Sequence, residues 1–464
     1  MRYLSTRGRV GGLSFEDAVL MGLADDGGLL LPESIPVIPE KTLHDWARLS
    51  YSDLAFNILS LYADDIPPET LRALITRAYA GFDHPEITPV VQRDDLYILE
   101  LFHGPTLAFK DLALQFLGNL FEYLTEKNGS RMNILGATSG DTGSAAICGV
   151  RGRKNINIFI LHPNGRVSPV QRMQMTTVPD ANVFNVAVEG TFDTCQSIVK
   201  ELFEDLEFKE RFSLASINSI NWARLAAQIV YYFYAWGRVW KATGREDATF
   251  AVPTGNFGDV FAGLLARRMG LPVRPLIIAT NENNILTRFV CAGDYSTGQV
   301  VETIAPSMDI QVASNFERYL YLLYGQDAQR TRGAMETFKK THTLGFSAEE
   351  QRLVAKDFSS HSVSQPEITA TIRDFHQKTG YLLDPHTAVG VAAGLKLRND
   401  DSPLICLSTA HPAKFAKAVH NAVGFDPPRP AQLAGIEDRP ERYTVMRADS
   451  QAVKALMVEK LQSL

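Results

Sequence analysis

Residues 133–146 read NILGATSGDTGSAA, and this stretch decides the architecture. An apolar run meets three glycines, Gly136, Gly140 and Gly143, interleaved with Thr138, Ser139, Asp141, Thr142 and Ser144, and then a small-residue helix begins. A strand that runs through a glycine and hydroxyl loop into a helix start is the repeating unit of a parallel α/β sheet. Such a loop brings backbone N–H groups and hydroxyl donors close to a ligand, because glycine puts no side chain in the way.

The same rhythm recurs on both sides: YILEL at 97–101, INIFIL at 156–161, FNVAV at 184–188, TFAVP at 249–253, VRPLIIA at 273–279 and PLICLS at 403–408. Short apolar runs alternating with helical segments predict an α/β fold of two open, mainly parallel sheets flanked by helices. The first 95 residues are helical and loop-rich, with breakers at Asp25–Gly28 and Pro67-Pro68, and read as an N-terminal cap. The core is expected over 96–425, with a small lobe at about 125–210. Polar helical stretches at about 279–380 suggest an insertion, and 426–464 a C-terminal appendage with a closing helix from about Gln451.

A second strand-to-helix loop lies in FAVPTGNFGDVFAGLLARR, residues 250–268, where Gly255, Asn256, Phe257, Gly258 and Asp259 precede a helix. Both loops are plausible phosphate or carboxylate cradles, and turns of this composition also occur as plain structure. Neither is a nucleotide P-loop, and no dinucleotide GxGxxG pattern is present. A third stretch, HGPTLAFKDLALQF at 103–116, opens a helix at Lys110, with Ala113, Leu117, Leu120 and Leu124 at helical spacing. A cation at the positive end of a helix is mildly unfavourable. An isolated lysine there reads as a solvated surface residue. Phe109 and the apolar helix argue instead for partial burial, which lowers an amine's pKa and makes it a nucleophile or base. Two anion loops and such a lysine suggest a phosphorylated aldehyde cofactor, pyridoxal phosphate, held as a Schiff base.

Composition narrows the partners. The chain has 464 residues, 45% of them hydrophobic and 21% charged, with a formal net charge of −6. That balance argues for a globular protein acting on small molecules and against broad nucleic-acid binding. No run of apolar residues is long enough to cross a membrane and no signal-like segment opens the chain, so a cytoplasmic location is expected. Cys148, Cys195, Cys291 and Cys406 form no CxxC pair, so neither a metal site nor a disulfide framework is indicated.

Six motifs in order, HGPTLAFKDLA, ATSGDTGSAA, NSINWARLAAQIVYYF, PTGNFGDVFAGLLA, ATNENN and STAHPAKF, resemble the threonine synthase family. The opening MRYLSTRG and LYADDIPPETL at 61–71 are similar to its bacterial and fungal branch. The resemblance implies a fold like that of the tryptophan synthase β subunit (PLP fold type II). Lys110 would then carry the cofactor as a Schiff base. Gly255, Asn256, Phe257, Gly258 and Asp259 would cradle its phosphate, and Thr409 would meet the pyridine nitrogen. Thr138, Ser139, Asp141 and Thr142 would meet the substrate carboxylate or the cofactor O3′. Many relatives carry Asn where this chain has Asp141, and a carboxylate in that place needs a proton or a cationic neighbour.

The substrate phosphate would fall to Asn218, Ser219, Asn221 and Arg224, with Lys414 as a further cation. Arg224 also reads as an ordinary helix arginine, since Ile220, Leu225 and Ile229 give that helix an apolar face. The implied reaction converts O-phospho-L-homoserine and water to L-threonine and phosphate by γ-elimination and addition of water at Cβ, in a monomer or homodimer. The competing reading is a phospho-lyase of the same fold, which releases 2-oxobutyrate, ammonia and phosphate.

Overall fold

The computed structural model describes residues 1–398 and 402–463. They form two compact units, Met1–Phe109 with Ser219–Pro428, and Lys110–Asn218 with Arg429–Leu464. The strands of the two main sheets are, in chain order, β1 (Val90–Arg93), β2 (Leu96–Glu100), β3 (Met132–Ala137), β4 (Ile156–Pro163), β5 (Val183–Glu189), β6 (Leu214–Ala215), β7 (Thr249–Pro253), β8 (Leu276–Thr280), β9 (Phe358–Ser362), β10 (Leu404–Ser408) and β11 (Thr444–Arg447). The helices that matter for the site are α1 (Lys110–Asn128), α2 (Asp141–Val150), α3 (Pro169–Thr176), α4 (Trp222–Thr243), α5 (Gly258–Arg268) and α6 (Pro385–Leu397).

In the first unit the sheet order is β9-β8-β7-β10-β2-β1. All neighbours are parallel except β1, which pairs antiparallel with β2. From β7 the chain builds outward to β8 and β9, then returns to β10 on the other side. The strand order therefore reverses at the end of β7, the position at which open α/β sheets bind ligands. Ile98, Ala251, Ile277, Leu404 and Cys406 of the strands pack on Ala388, Val389 and Val391 of α6. Each fully buried Leu, Ile or Val contributes about 1.5–3 kcal/mol, so packing outweighs local propensity in fixing these strands.

The second unit has the order β11-β5-β4-β3-β6, parallel throughout. Here the order reverses at β3, whose end carries the loop of residues 138–143. Leu135, Phe159, Leu161, Val186 and Val188 meet Ile198 and Leu202, and Val453 and Met457 join them from the C-terminal helix Ser450–Gln462. Where the sequence suggested a small lobe at about 125–210 and a separate appendage, the second unit begins at Lys110 and takes in the residues from Arg429. An apolar face on the last helix and a strand added beside β5 account for that.

The N-terminal segment belongs to the first unit. Tyr3–Ser5 pairs antiparallel with Leu30–Pro32. The Tyr51 ring meets Tyr234 of α4 edge-on, with centroids 5.3 Å apart, and Arg7 Nη2 pairs with Glu317 at 2.8 Å. All seven strands expected from apolar runs are present. Those without an advance signal are mostly edge strands, such as β9 (FSSHS) and β11 (TVMR), which have one side unpaired and tolerate polar residues. The 279–380 stretch thus supplies an edge strand of the main sheet as well as its polar helices.

Candidate active site

In the first unit, β7 ends in the loop that leads to α5. Thr254 N–H donates to Ala279 O at 2.8 Å, which pins the loop to β8. Phe257 then takes φ +65°, a left-handed conformation unusual for a bulky residue. Its ring is 1% exposed and is caged by Phe316, Tyr319 and Phe358 at centroid distances of 5.7, 5.8 and 5.6 Å. That burial outweighs a backbone cost of about 1–2 kcal/mol. Among the described residues, no backbone carbonyl outside the helices and strands accepts the amide N–H of Gly255, Asn256 or Gly258. Amides leading into a helix start are of the kind that suits an anion.

The surroundings fix this loop. A Cβ on Gly255 would stand 2.8 Å from Ser307 O, and Ser307 N–H donates to His386 Nε2 at 3.1 Å. His386 Nδ1 lies 2.9 Å from Asp384 Oδ1, so the buried imidazole has its proton on Nδ1. The Asp259 carboxylate accepts the hydroxyls of Tyr231 at 2.6 Å and Tyr232 at 2.8 Å. Its charge also sits well at the helix start.

The start of α4 joins this loop through Asn315. Asn315 Nδ2 donates to Asn256 O at 3.1 Å and to Ser219 O at 3.4 Å. Arg224, the third residue of α4, is 2% exposed, and burial pushes its guanidinium down to about 10. It therefore keeps its charge at neutral pH inside the fold and is no surface arginine. Ser219 Oγ lies 2.9 Å from Ser314 Oγ. The Asn221 side chain caps α4, accepting Ala223 N–H at 3.0 Å and donating to Val19 O at 2.9 Å.

Thr409 lies just past the end of β10 and is 6% exposed. Its carbonyl accepts Phe109 N–H at 2.9 Å, and His411 N–H donates to Leu107 O at 3.0 Å. The residues before Lys110 are thus laced to the end of β10. Lys414 Nζ, 2% exposed, donates to Thr106 O at 2.7 Å and secures the same segment. His103 holds its start, with Nδ1 2.7 Å from Asp83 and Nε2 2.8 Å from Glu100. Burial alone would lower the His103 pKa, but the bonds to Glu100 and Asp83 outweigh it and raise it.

In the second unit, α1 and α2 touch backbone to backbone: a Cβ on Gly118 would stand 2.0 Å from Gly149 O. Lys110 opens α1 and Asp141 opens α2, and Lys110 Nζ lies 3.6 Å from Asp141 Oδ2, the side chains 12% and 4% exposed. The cationic neighbour that a carboxylate needs in that loop is the lysine itself. Thr138 Oγ1 shapes the turn by accepting Gly140 N–H at 3.0 Å and Gly143 N–H at 2.8 Å. Ser139 is exposed and Thr142 half-buried, and Asn218, the last residue of the segment that starts at Lys110, is exposed. His103, Ser307 and Asn315, which hold the loops, lie outside the site expected from the sequence, because no glycine loop or spacing marks them. His103 alone had a signal, its place at the head of HGPT.

Residues 82–345 match the family described as pyridoxal-phosphate dependent enzyme. The fold and this match define a pyridoxal-phosphate enzyme. Residues 2–79 match the family "Threonine synthase N terminus" and residues 387–457 "Threonine synthase, C-terminal". The chain is 48% identical to threonine synthase of Schizosaccharomyces pombe, over 91% of this chain and 89% of that protein. It is 46% identical to threonine synthase of Pseudomonas aeruginosa, over 98% of each. The solved structure of PLP-bound threonine synthase from Brucella melitensis superposes with a TM-score of 0.95 at 45% identity, covering 99% of both chains, and the yeast enzyme with 0.94 at 43% identity, covering 100% of this chain and 99% of that one. This chain belongs to the threonine synthase family. Each unit by itself holds a group of the kind the cofactor needs: in the first, amides leading into a helix start suit a phosphate, and in the second, a shielded lysine amine suits an aldehyde.

Proposed function

We infer that this chain converts O-phospho-L-homoserine and water to L-threonine and phosphate, with pyridoxal phosphate as its cofactor. The observation that carries the reading is the Lys110–Asp141 pair at the starts of two touching helices, in a chain of the threonine synthase family. When bound, the cofactor accepts the negative charge left at a substrate carbon that loses a proton.

Lys110 Nζ would hold the cofactor's aldehyde carbon and, once released by the substrate amine, take the proton from Cα and then from Cβ. The amides of Gly255, Asn256 and Gly258, with Phe257 and Asp259 fixing the turn, would bind the cofactor phosphate. Thr409 would offer a hydroxyl to the ring nitrogen, and a hydroxyl there leaves that nitrogen largely unprotonated. Thr138, Ser139 and Thr142 would orient the substrate carboxylate, with Asp141 at the cofactor O3′ or beside the lysine. Arg224 and Ser219 would receive the leaving phosphate with Asn218. Asn221 and Lys414, each with a local partner, would hold the frame around that site. Donors fixed before the reaction stabilise the charge that develops on a leaving phosphate without reorganising.

We place the protein in the cytoplasm, as a monomer or homodimer without nucleic-acid or membrane partners. The net charge of −6 argues against a nucleic-acid partner, and among the described residues no helix is long and apolar enough to cross a membrane. The test is product analysis of the PLP-loaded protein with O-phospho-L-homoserine. Threonine and phosphate in equal amounts are expected, and phosphate with 2-oxobutyrate in place of threonine would overturn the reading.

A further inference from the structure

The Asp141 carboxylate has a second neighbour that no motif announces. Gln171 is the third residue of α3, and Ser168 caps that helix by accepting Gln171 N–H at 3.3 Å. With the helix start fixed, the Gln171 side chain is 2% exposed. Its Nε2 donates to Asp141 Oδ1 at 2.8 Å. The glycine loop is built around this amide, since a Cβ on Gly140 would stand 2.5 Å from it. The two oxygens of Asp141 are thereby divided: Oδ1 belongs to Gln171, and Oδ2 lies 3.6 Å from Lys110 Nζ. A donor on one oxygen of a buried carboxylate both favours its charged form and fixes its rotation.

We propose that Gln171 is a positioning residue that acts through Asp141, holding the carboxylate turned so that Oδ2 faces the Lys110 amine. Its consequence for the reaction rests on the reading of Lys110 as the cofactor-bearing lysine. The positioning itself concerns only the amine and the carboxylate. An ionised Asp141 held at that distance favours the ammonium form of Lys110. A loosened one leaves a larger share of neutral, reactive amine. No motif points to residue 171, and a role confined to packing would leave the amine's reactivity untouched.

The test uses the full-length chain freed of cofactor. The rate at which trinitrobenzenesulfonate modifies Lys110 at pH 8 is followed by the mass of its peptide in the parent, Gln171→Leu, Asp141→Asn and the double variant. An opposite charge this close shifts a pKa by about 1–3 units, so Asp141→Asn is expected to speed labelling about tenfold or more. Gln171→Leu should speed it about threefold or more, and the double variant should match Asp141→Asn, because coupled residues are not additive. A parent rate in Gln171→Leu, or the same fold-increase on top of Asp141→Asn, would overturn the proposal. Gln171→Met carries the same test should the leucine variant fail to fold. Threonine formation by Lys110→Ala tests the underlying reading separately: activity there would sink that reading and leave the labelling result to decide the role of Gln171.

Discussion

Gly118 of α1 and Gly149 of α2 bring two helix backbones into contact, and the same two helices begin with Lys110 and Asp141, whose charged groups lie 3.6 Å apart. Helix crossing and ion pair are parts of one arrangement. Gly118→Ala would put a Cβ 2.0 Å from Gly149 O. Overpacking of this kind costs about 1–3 kcal/mol. Chemical denaturation should show that loss, and threonine formation should fall by more than the loss of folded protein explains. A fully active, equally stable Gly118→Ala would separate the crossing from the site.

The cradle of the first unit makes a separate prediction. Gly255→Ala places a methyl 2.8 Å from Ser307 O, against a loop held by His386. The loop must shift, and its amides lose their aim. Pyridoxal phosphate affinity, titrated by absorbance, should weaken at least about tenfold, as one lost charge-assisted bond of about 1.5–3 kcal/mol implies. Unchanged affinity would move the phosphate elsewhere.

His103 carries a pH signature. Burial opposes its charge, but Glu100 and Asp83 raise its pKa above the ordinary value. A folded pKa raised above the unfolded one adds stability that is complete below about 6.5, the ordinary histidine value, and fades as pH climbs through the raised value. The melting temperature of His103→Gln should therefore trail the parent most at pH 5.5 and least at pH 9. A gap that widens towards alkaline pH would contradict the ion pairs.

Thr409→Asp tests the hydroxyl expected at the ring nitrogen. A carboxylate there would favour a protonated ring and a stronger electron sink. Products should shift from threonine towards 2-oxobutyrate, read by quantifying both. A variant with the parent's product ratio would remove that role from Thr409.

Much of this was legible in the sequence, and the pattern of what was not has physical causes. The seven central strands announce themselves because strands buried on both faces must be apolar throughout, as in LIIAT and LICLS. The loops at 138–143 and 254–259 announce themselves through glycine, since close backbone approach leaves few alternatives. Gln171, Asn315 and Ser307 do not, because their value lies in which distant atom they meet: Gln171 reaches Asp141 across 30 residues and Asn315 reaches Asn256 across 59. Asn221 and Lys414 show the converse. Their motifs are plain, yet each side chain has a local partner in the frame.

The central claim is that the Lys110 amine carries the cofactor and moves the protons, and the direct measurement is to locate the attachment. The PLP-loaded protein is reduced with borohydride, digested, and the modified lysine found by mass spectrometry, beside Lys110→Ala assayed for threonine and phosphate. The account predicts the modification on the peptide containing Lys110, and no threonine from the variant. A modification on another lysine, or threonine from Lys110→Ala at the parent's rate, would contradict it.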